Sequence, residues 1–167
     1  MIFLTVGTQL PFERLIEAMD QWASENPSVD VFAQIGETQH PVKHMTCCEG
    51  LTPDEYQERF NAASVIVSHV GMGTIISGLT KAKPMVLMPR QASLGEHRND
   101  HQLATARKFE RFDLIDIAQE PSHLFAQLNA RLISHKEYSE TPLSVSPTLE
   151  NRLSTFLSNV KKGKKEC

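Results

Sequence analysis

The chain has 167 residues, a length typical of one domain that buries a core without disulfides or metals. Its 40% hydrophobic and 22% charged residues and its formal net charge of -3 give no reason to expect a nucleic-acid partner. Three cysteines do not form the even set of a secreted disulfide scaffold, and the amino-terminal apolar run is too short for a signal peptide or a membrane span. We therefore expect a cytoplasmic globular protein.

Short continuous apolar runs, such as IFLTV at residues 2–6, are typical of strands covered on both faces, and the segments between them have the spacing of amphipathic helices. In chain order we predict strand 2–6, helix 11–23, strands 29–35 and 42–47, helix 52–63, strand 64–69, helix 73–83, strand 84–89, helix 96–110, strand 112–117 and helix 120–134. This alternation predicts an α/β fold, a Rossmann-like parallel sheet with helices on both faces.

The predicted domain covers residues 1–135. Residues 136–147 are polar and contain prolines, so we interpret them as a linker or wrapping segment. Residues 148–160 have helical spacing of Leu and Phe and predict a carboxyl-terminal helix that packs on this domain or on a partner. The lysine-rich residues 161–167 are expected to form a basic, disordered tail.

The stretch HVGMGT, residues 69–74, follows a buried strand and leads into a helix. A strand, a tight glycine turn and a helix make a phosphate site, because free backbone N–H groups and the positive end of the helix dipole face the same point. Gly71 and Gly73 would let a diphosphate approach, while Thr74 and His69 would supply further donors. The alternative is that the glycines only permit a tight turn.

Two other stretches are expected at the same edge of the sheet. Residues 95–106, GEHRNDHQLATA, place seven polar side chains in succession, and Asp100, His101 and Gln102 offer donors and acceptors for sugar hydroxyls. VGTQ, residues 6–9, ends the first strand. Loops at the carboxyl ends of neighbouring parallel strands converge on one crevice. The alternatives are a solvated first helical turn and a simple turn, respectively.

Three stretches, LTVGTQLPFERLI, SHVGMGTIISGLTKAKPMVLMPR and GEHRNDHQLATA, occur in this order over roughly residues 1–110. In these the chain resembles the carboxyl-terminal, nucleotide-sugar-binding half of family 28 GT-B glycosyltransferases, and most closely the stand-alone proteins of bacterial exopolysaccharide and capsule synthesis. It is also similar to the small subunit of the N-acetylglucosaminyltransferase that acts on dolichol-linked glycans.

This resemblance implies a UDP-sugar donor, with the pyrophosphate at the glycine turn and the sugar near His101 and Gln102. Many relatives have a glutamate that contacts the ribose where this chain has Ser77. The resemblance also implies metal-independent chemistry without a cofactor, and no DxD triplet occurs. The implied UDP-sugar-binding residues are Gly7, Thr8, Gln9, His69, Gly71, Met72, Gly73, Thr74, Ser77, Arg90, Asn99, Asp100, His101 and Gln102.

In complete GT-B enzymes an amino-terminal domain supplies the acceptor site and commonly the catalytic base, whereas Met1 here opens the first strand of the carboxyl-terminal half. The resemblance thus implies the donor-binding subunit of a split hexosyltransferase. Its expected partner is a membrane-associated subunit, with a lipid-linked saccharide as acceptor, which would place the chain at the inner face of the membrane. The alternative is a non-catalytic nucleotide-sugar-binding or regulatory module.

Other ligands are less compatible with the residues. His97 and His101 have the spacing of a zinc pair, but no third ligand is evident. The first turn, GTQLP, lacks the GxGxxG fingerprint of a dinucleotide-dependent oxidoreductase. Glucuronate, galactose, glucose and N-acetylglucosamine all remain open as the transferred sugar. Arg90, Arg98 or Lys81 would be candidates to pair with a glucuronate carboxylate, or equally with the phosphates.

Overall fold

The structure is a computed structural model that describes residues 1–138, and the side chains of residues 1–133. The strands are β1 Ile2–Thr5, β2 Val31–Gln34, β3 Thr46–Cys48, β4 Val65–His69, β5 Met85–Met88 and β6 Ile115–Ile117. The helices are α1 Glu13–Glu25, α2 Pro53–Ala62, α3 Met72–Thr80, α4 His101–Phe109 and α5 Pro121–Tyr138, with a 3-10 turn at Ala92–Leu94.

The six strands form one parallel sheet in the order β3-β2-β1-β4-β5-β6. This is the strand order of the doubly wound Rossmann fold, so the predicted fold class is confirmed. The chain moves outward in one direction from β1 through β3, then returns to β4 beside β1 and moves outward in the other direction. Ligands of such sheets bind at the carboxyl ends of the strands where the order reverses, which here lies between β1 and β4.

Helices cover both faces of the sheet, which explains why the strands are apolar without alternation. Ile2 and Leu4 pack on one face in a cluster with α1 and α5, where Trp22 is fully buried. Phe3 points to the opposite face and packs in a cluster with α2, α3 and α4 that includes Phe60. Successive residues of a strand point to opposite faces, so each strand contributes to both halves of the core.

The predicted strand at residues 42–47 is shifted, because β3 spans only Thr46–Cys48. Pro41 precedes this segment, and the Asp20 carboxylate on α1 accepts the backbone N–H groups of Lys43 (3.0 Å) and His44 (2.8 Å). These N–H groups bind a helix side chain and not a neighbouring strand. The segment therefore runs along α1 before it joins the sheet.

The predicted helix at residues 96–110 begins only at His101. Two carboxylates hold the residues before it in a loop: Glu96 accepts the N–H of Gln91 at 2.9 Å, and Asp100 accepts the N–H of Ala92 at 3.0 Å. The capping box of α2 is confirmed, since the Thr52 hydroxyl accepts the Glu55 N–H and the Glu55 carboxylate accepts the Thr52 N–H.

The last helix continues to Tyr138, three residues into the segment interpreted as a linker. The rest of that linker, the predicted helix at 148–160 and the predicted tail at 161–167 lie outside the described residues. Within residues 1–138, no helix combines the length and apolar character needed to cross a bilayer.

Candidate functional site

A crevice opens at the carboxyl ends of β1 and β4, where the sheet order reverses. Its larger cavity has a volume of about 450 Å³. The loop after β1, the loop from β4 into α3 and the loop after β5 form its walls. The lining residues are Val6, Gly7, Thr8, Gln9, Leu10, His69, Gly71, Met72, Gly73, Thr74, Arg90, His97 and Gln102.

The amino terminus of α3 presents free backbone donors to this cavity. Gly71 is the N-cap residue and has no side chain to cap the helix, and the first intrahelical bond runs from the Ile75 N–H to the Gly71 carbonyl at 3.0 Å. The N–H groups of Met72, Gly73 and Thr74 have no acceptor among the described residues. Such unpaired donors carry the positive end of the helix dipole and suit an anion.

The two glycines of this turn meet different surroundings. A Cβ at Gly73 would have no heavy atom within 4 Å, so neither packing nor a positive φ requires glycine there. A Cβ at Gly71 would collide with the His69 imidazole. The alternative of glycines that only permit a turn therefore does not explain Gly73, where the missing side chain leaves open space.

His69 is the last residue of β4, and its imidazole ring lies between Gly7 in the loop after β1 and Gly71 in the loop after β4. A Cβ at Gly7 would be 2.7 Å from its Cε1, and Gly7 has a φ of +80°, so both close approach and conformation require glycine. Ser68 Oγ donates to the Thr5 carbonyl at 2.8 Å and lies 3.3 Å from His69 Nδ1. Because the hydroxyl has one proton, Nδ1 is assigned as the donor to Ser68, and Nε2 is left as an acceptor.

The imidazole of His69 is neutral at physiological pH. Burial is the main cause that lowers its pKa, to about 4, and the nearby Arg90 charge acts in the same direction. The sequence suggests a donor at this position, whereas the ring presents an acceptor at Nε2. His69 would thus accept a hydrogen bond from a ligand hydroxyl.

Arg90 follows β5 and is only 2% exposed. Its guanidinium packs over the Phe12 ring at 4.5 Å from the centroid. Its terminal nitrogens donate to the carbonyl oxygens of Val6 (2.9 Å), Leu10 (2.7 Å), Pro11 and Glu96 (3.4 Å). Arg90 therefore fixes the loop after β1 against the loop after β5, and its contacts are those of a positioning residue.

Gln102, at the start of α4, joins the ends of two strands. Its Oε1 accepts the N–H groups of Val70 (3.2 Å) and Arg90 (3.0 Å). Among the described residues no group accepts from its Nε2, and Gln102 lines the cavity, which leaves an amide donor for a ligand. Glu96 completes this wall through a bidentate ion pair with Arg14, at 2.7 and 2.8 Å.

The rest of the predicted polar loop lies outside the cavities. Asn99, Asp100 and His101 are exposed and line neither cavity of the crevice. Asp100 holds the N–H of Ala92, and Asn99 Oδ1 accepts the N–H of His101 at 3.2 Å. His97 lines the cavity instead, a placement that the sequence does not reveal because the loop, and not a helix, sets its direction.

A second cavity of about 340 Å³ adjoins the first across the glycine turn. Ser77 lies there, together with residues that the sequence analysis does not select. Tyr56 of α2 is one of them: burial raises the pKa of its hydroxyl, and the nearby Thr74 and Thr5 side chains offset part of that rise. The lining residues are Thr5, Gly7, Thr8, Gln34, Leu51, Tyr56, Gly73, Thr74 and Ser77. An elongated ligand could occupy both cavities and cross the turn with its central part.

In the part of the chain that the structure describes, no cluster of three or more His, Cys, Asp or Glu is placed to hold a metal ion.

A sequence profile described as the glycosyltransferase family 28 C-terminal domain matches residues 1–153. Among curated proteins no significant match is found. Solved structures with a similar fold include MurG of Acinetobacter baumannii, with a TM-score of 0.56 and 21% identity over 80% of this chain and 41% of that one. An NMR structure of ALG13 gives a TM-score of 0.58 and 18% identity, over 91% of this chain and 94% of that one.

A glucosyltransferase also has a similar fold. A structure of UDP-glucose:anthocyanidin 3-O-glucosyltransferase in complex with UDP gives a TM-score of 0.57 and 12% identity, over 96% of this chain and 40% of that one. The chain thus spans about two fifths of the length of MurG and of this glucosyltransferase, and nearly all of ALG13. At these identities the likeness to solved structures shows a common fold.

Proposed function

The chain belongs to glycosyltransferase family 28, and from this premise we propose that it binds a UDP-sugar and, with a membrane-associated partner subunit, transfers the hexosyl group to a lipid-linked saccharide in surface polysaccharide synthesis. The observation that carries the proposal is the turn at the start of α3. Three N–H groups are free there, a Cβ at Gly73 would meet open space, and Gly73 and Thr74 line both cavities. A diphosphate fits this place because it is anionic and links two larger groups.

The two cavities suit the two ends of such a ligand. We assign the sugar to the larger cavity, where Gln9, His97 and Gln102 offer hydrogen-bonding groups, and the nucleoside to the second, beside Tyr56 and Ser77. The glucosyltransferase of similar fold was solved in complex with UDP, which supports the proposal that a protein of this architecture binds a nucleoside diphosphate.

In this proposal the chain promotes transfer by stabilising the leaving group. Negative charge builds up on the departing UDP as the bond to the sugar breaks. The N–H groups of Met72, Gly73 and Thr74 and the dipole of α3 are already oriented towards that charge, so no reorganisation is needed during the reaction. One such donor is worth about 2.7–4 kcal/mol in comparable oxyanion sites.

The acceptor site and the catalytic base are assigned to the partner. No Asp or Glu lines either cavity of the crevice in the described residues. Among residues 1–133, four large apolar side chains are exposed, and three of them lie at the carboxyl edge of the sheet: Leu10 in the loop after β1, Met72 at the start of α3 and Leu94 in the 3-10 turn after β5. Exposed apolar residues grouped around a site favour a protein interface there.

Calorimetric titration with UDP tests the donor site. The wild-type chain is compared with Gly73→Val and with Gly50→Val, a matched control, because a Cβ at either glycine meets no neighbour within 4 Å. We expect UDP binding to be lost in Gly73→Val and retained in Gly50→Val. Equal binding by all three proteins would show that the diphosphate does not bind at this turn.

Reconstitution tests the transferase reaction against the regulatory alternative. Membranes from the source organism that lack this chain are supplied with the purified protein and a radiolabelled UDP-sugar. Incorporation of label into the lipid fraction that depends on the wild-type chain, and not on Gly73→Val, supports a donor subunit. UDP binding without any incorporation, with each UDP-hexose tried in turn, supports a non-catalytic module.

A further inference from the structure

Among residues 1–133, Arg90 is the one Lys or Arg residue that lines the cavities of the crevice. A uronic acid differs from a neutral hexose by one carboxylate, so its recognition by a cation in the crevice would fall to Arg90. The environment of this guanidinium therefore bears on which class of sugar the crevice accepts. This step rests on the proposed UDP-sugar site.

The donors of Arg90 that project from the end of its side chain are already used. Its two terminal nitrogens carry four N–H groups, and four backbone carbonyls accept from them, those of Val6, Leu10, Pro11 and Glu96. One face of the guanidinium is covered by Phe12. To bind a ligand carboxylate in a bidentate manner, Arg90 would have to leave carbonyl oxygens without a donor and release the loop that forms the cavity wall.

Lys81 and Arg98, the other basic side chains suggested by the sequence, are placed elsewhere, and so is Arg14, which the sequence analysis does not name. Lys81 lies at the carboxyl end of α3, the end away from the crevice, and donates to Asn61 Oδ1 at 2.6 Å. Arg98 is exposed and lines neither cavity. Arg14 is paired with Glu96 behind the wall. None of the three is positioned to neutralise a carboxylate in the larger cavity.

The groups that do face the larger cavity suit hydroxyls. His69 is neutral and presents the unprotonated Nε2, which would repel a carboxylate and accept from a hydroxyl. Thr8, Gln9 and the Nε2 group of Gln102 supply uncharged donors and acceptors. Mixed neutral donors and acceptors match the hydroxyl groups of a hexose.

We infer that the sugar of the donor is an uncharged hexosyl group, such as glucose, galactose or N-acetylglucosamine, and that glucuronate is discriminated against because Arg90 holds the cavity wall and is not available as its counter-ion. Specificity of this kind arises from leaving the wrong ligand's charge unpaired.

The test is a calorimetric comparison of UDP, UDP-glucose, UDP-galactose, UDP-N-acetylglucosamine and UDP-glucuronate. We expect UDP-glucuronate to bind at least about tenfold more weakly than the tightest neutral UDP-hexose. If UDP binds and UDP-glucuronate binds as tightly as the best neutral donor, the inference is overturned while the donor site stands. If UDP itself does not bind, the proposed function fails and the inference fails with it.

Two variants separate charge from shape. Leu10→Arg adds a free guanidinium at the cavity rim, where Leu10 is 40% exposed, and is expected to raise the affinity for UDP-glucuronate relative to UDP-glucose severalfold. Ile133→Arg is the matched control, since Ile133 is 63% exposed on α5 and lines neither cavity, and its ratio should equal that of the wild type. His97→Gln should also keep the wild-type ratio. Loss of UDP-glucuronate affinity in His97→Gln alone would identify His97 as a counter-ion and overturn the inference.

Discussion

Gly73→Ala is expected to change stability and ligand affinity in opposite directions. Gly73 is the second residue of α3, its φ is not positive, and an added Cβ would have no neighbour within 4 Å. Alanine there reduces the entropy of the unfolded chain without a steric cost in the folded one. The expected gain is at most about 0.5–1 kcal/mol in the free energy of unfolding, since that is the difference between Gly and Ala inside a helix.

The same methyl group would occupy the space through which a phosphate oxygen reaches the N–H groups of the turn. Loss of one charge-assisted hydrogen bond costs about 1.5–3 kcal/mol, which corresponds to roughly a tenfold to hundredfold rise in the dissociation constant for UDP. Urea denaturation and calorimetric titration on the same protein preparations measure the two effects.

Two control variants make this result interpretable. Gly50→Ala has equally open surroundings but lies outside the crevice, so its UDP affinity should match the wild type. Gly78→Ala, on the same helix, would force a Cβ into Met85 and should lower stability. A Gly73→Ala protein that binds UDP with wild-type affinity would refute the reasoning, because the turn would then have room that a bound diphosphate does not use.

Three further outcomes are expected. The unfolded chain binds a proton at His69 near its ordinary pKa of 6.5 and the folded chain only near 4, so stability should fall as pH falls from 6.5 to 4, and His69→Gln should flatten that slope in urea denaturation; an unchanged slope would mean that the ring is accessible to water. Arg90→Met should lower the free energy of unfolding by at least about 2 kcal/mol, because several buried carbonyl oxygens lose their donor, and a value near zero would show that water replaces the guanidinium. Leu94→Glu should reduce sugar transfer in reconstituted membranes about tenfold or more while UDP affinity stays constant, whereas Ile133→Glu should leave both unchanged; equal activity of the two variants would place the partner elsewhere.

Local sequence patterns are sufficient for those parts of the fold whose stabilising contacts are near in sequence. The capping box at Thr52 and Glu55 spans four residues, and the amphipathic spacing that includes Leu15, Met19 and Trp22 defines a helix by itself. The strands are recognisable because a parallel sheet buries both of their faces. Strand order follows less directly from local pattern, yet alternating strands and helices leave few parallel topologies.

The errors in element boundaries have a common cause. Asp20, Glu96 and Asp100 are charged residues that a local pattern assigns to solvent or to a helix, but each accepts at least one backbone N–H group from outside the helix predicted for it. Asp20 reaches His44 across 24 residues of chain. Asp20 takes the N–H groups of Lys43 and His44 out of the predicted strand 42–47, whereas Glu96 and Asp100 are themselves held in a loop, outside the helix predicted for residues 96–110, by the N–H groups that they accept.

The sequence by itself determined the fold class and the glycine turn, because apolar periodicity and the order of strand, glycine and helix are local properties of the chain. Only the tertiary structure decided what the polar side chains of the crevice do. The sequence suggests that Arg90 binds the ligand, but its guanidinium donates to the carbonyl of Val6, a residue 84 positions away. The proton on His69 is likewise set by Ser68 and the Thr5 carbonyl. A hydrogen-bonding group is available to a ligand only when the folded chain has not already satisfied it, and the partners that satisfy these groups come together when β1, β4 and β5 pair.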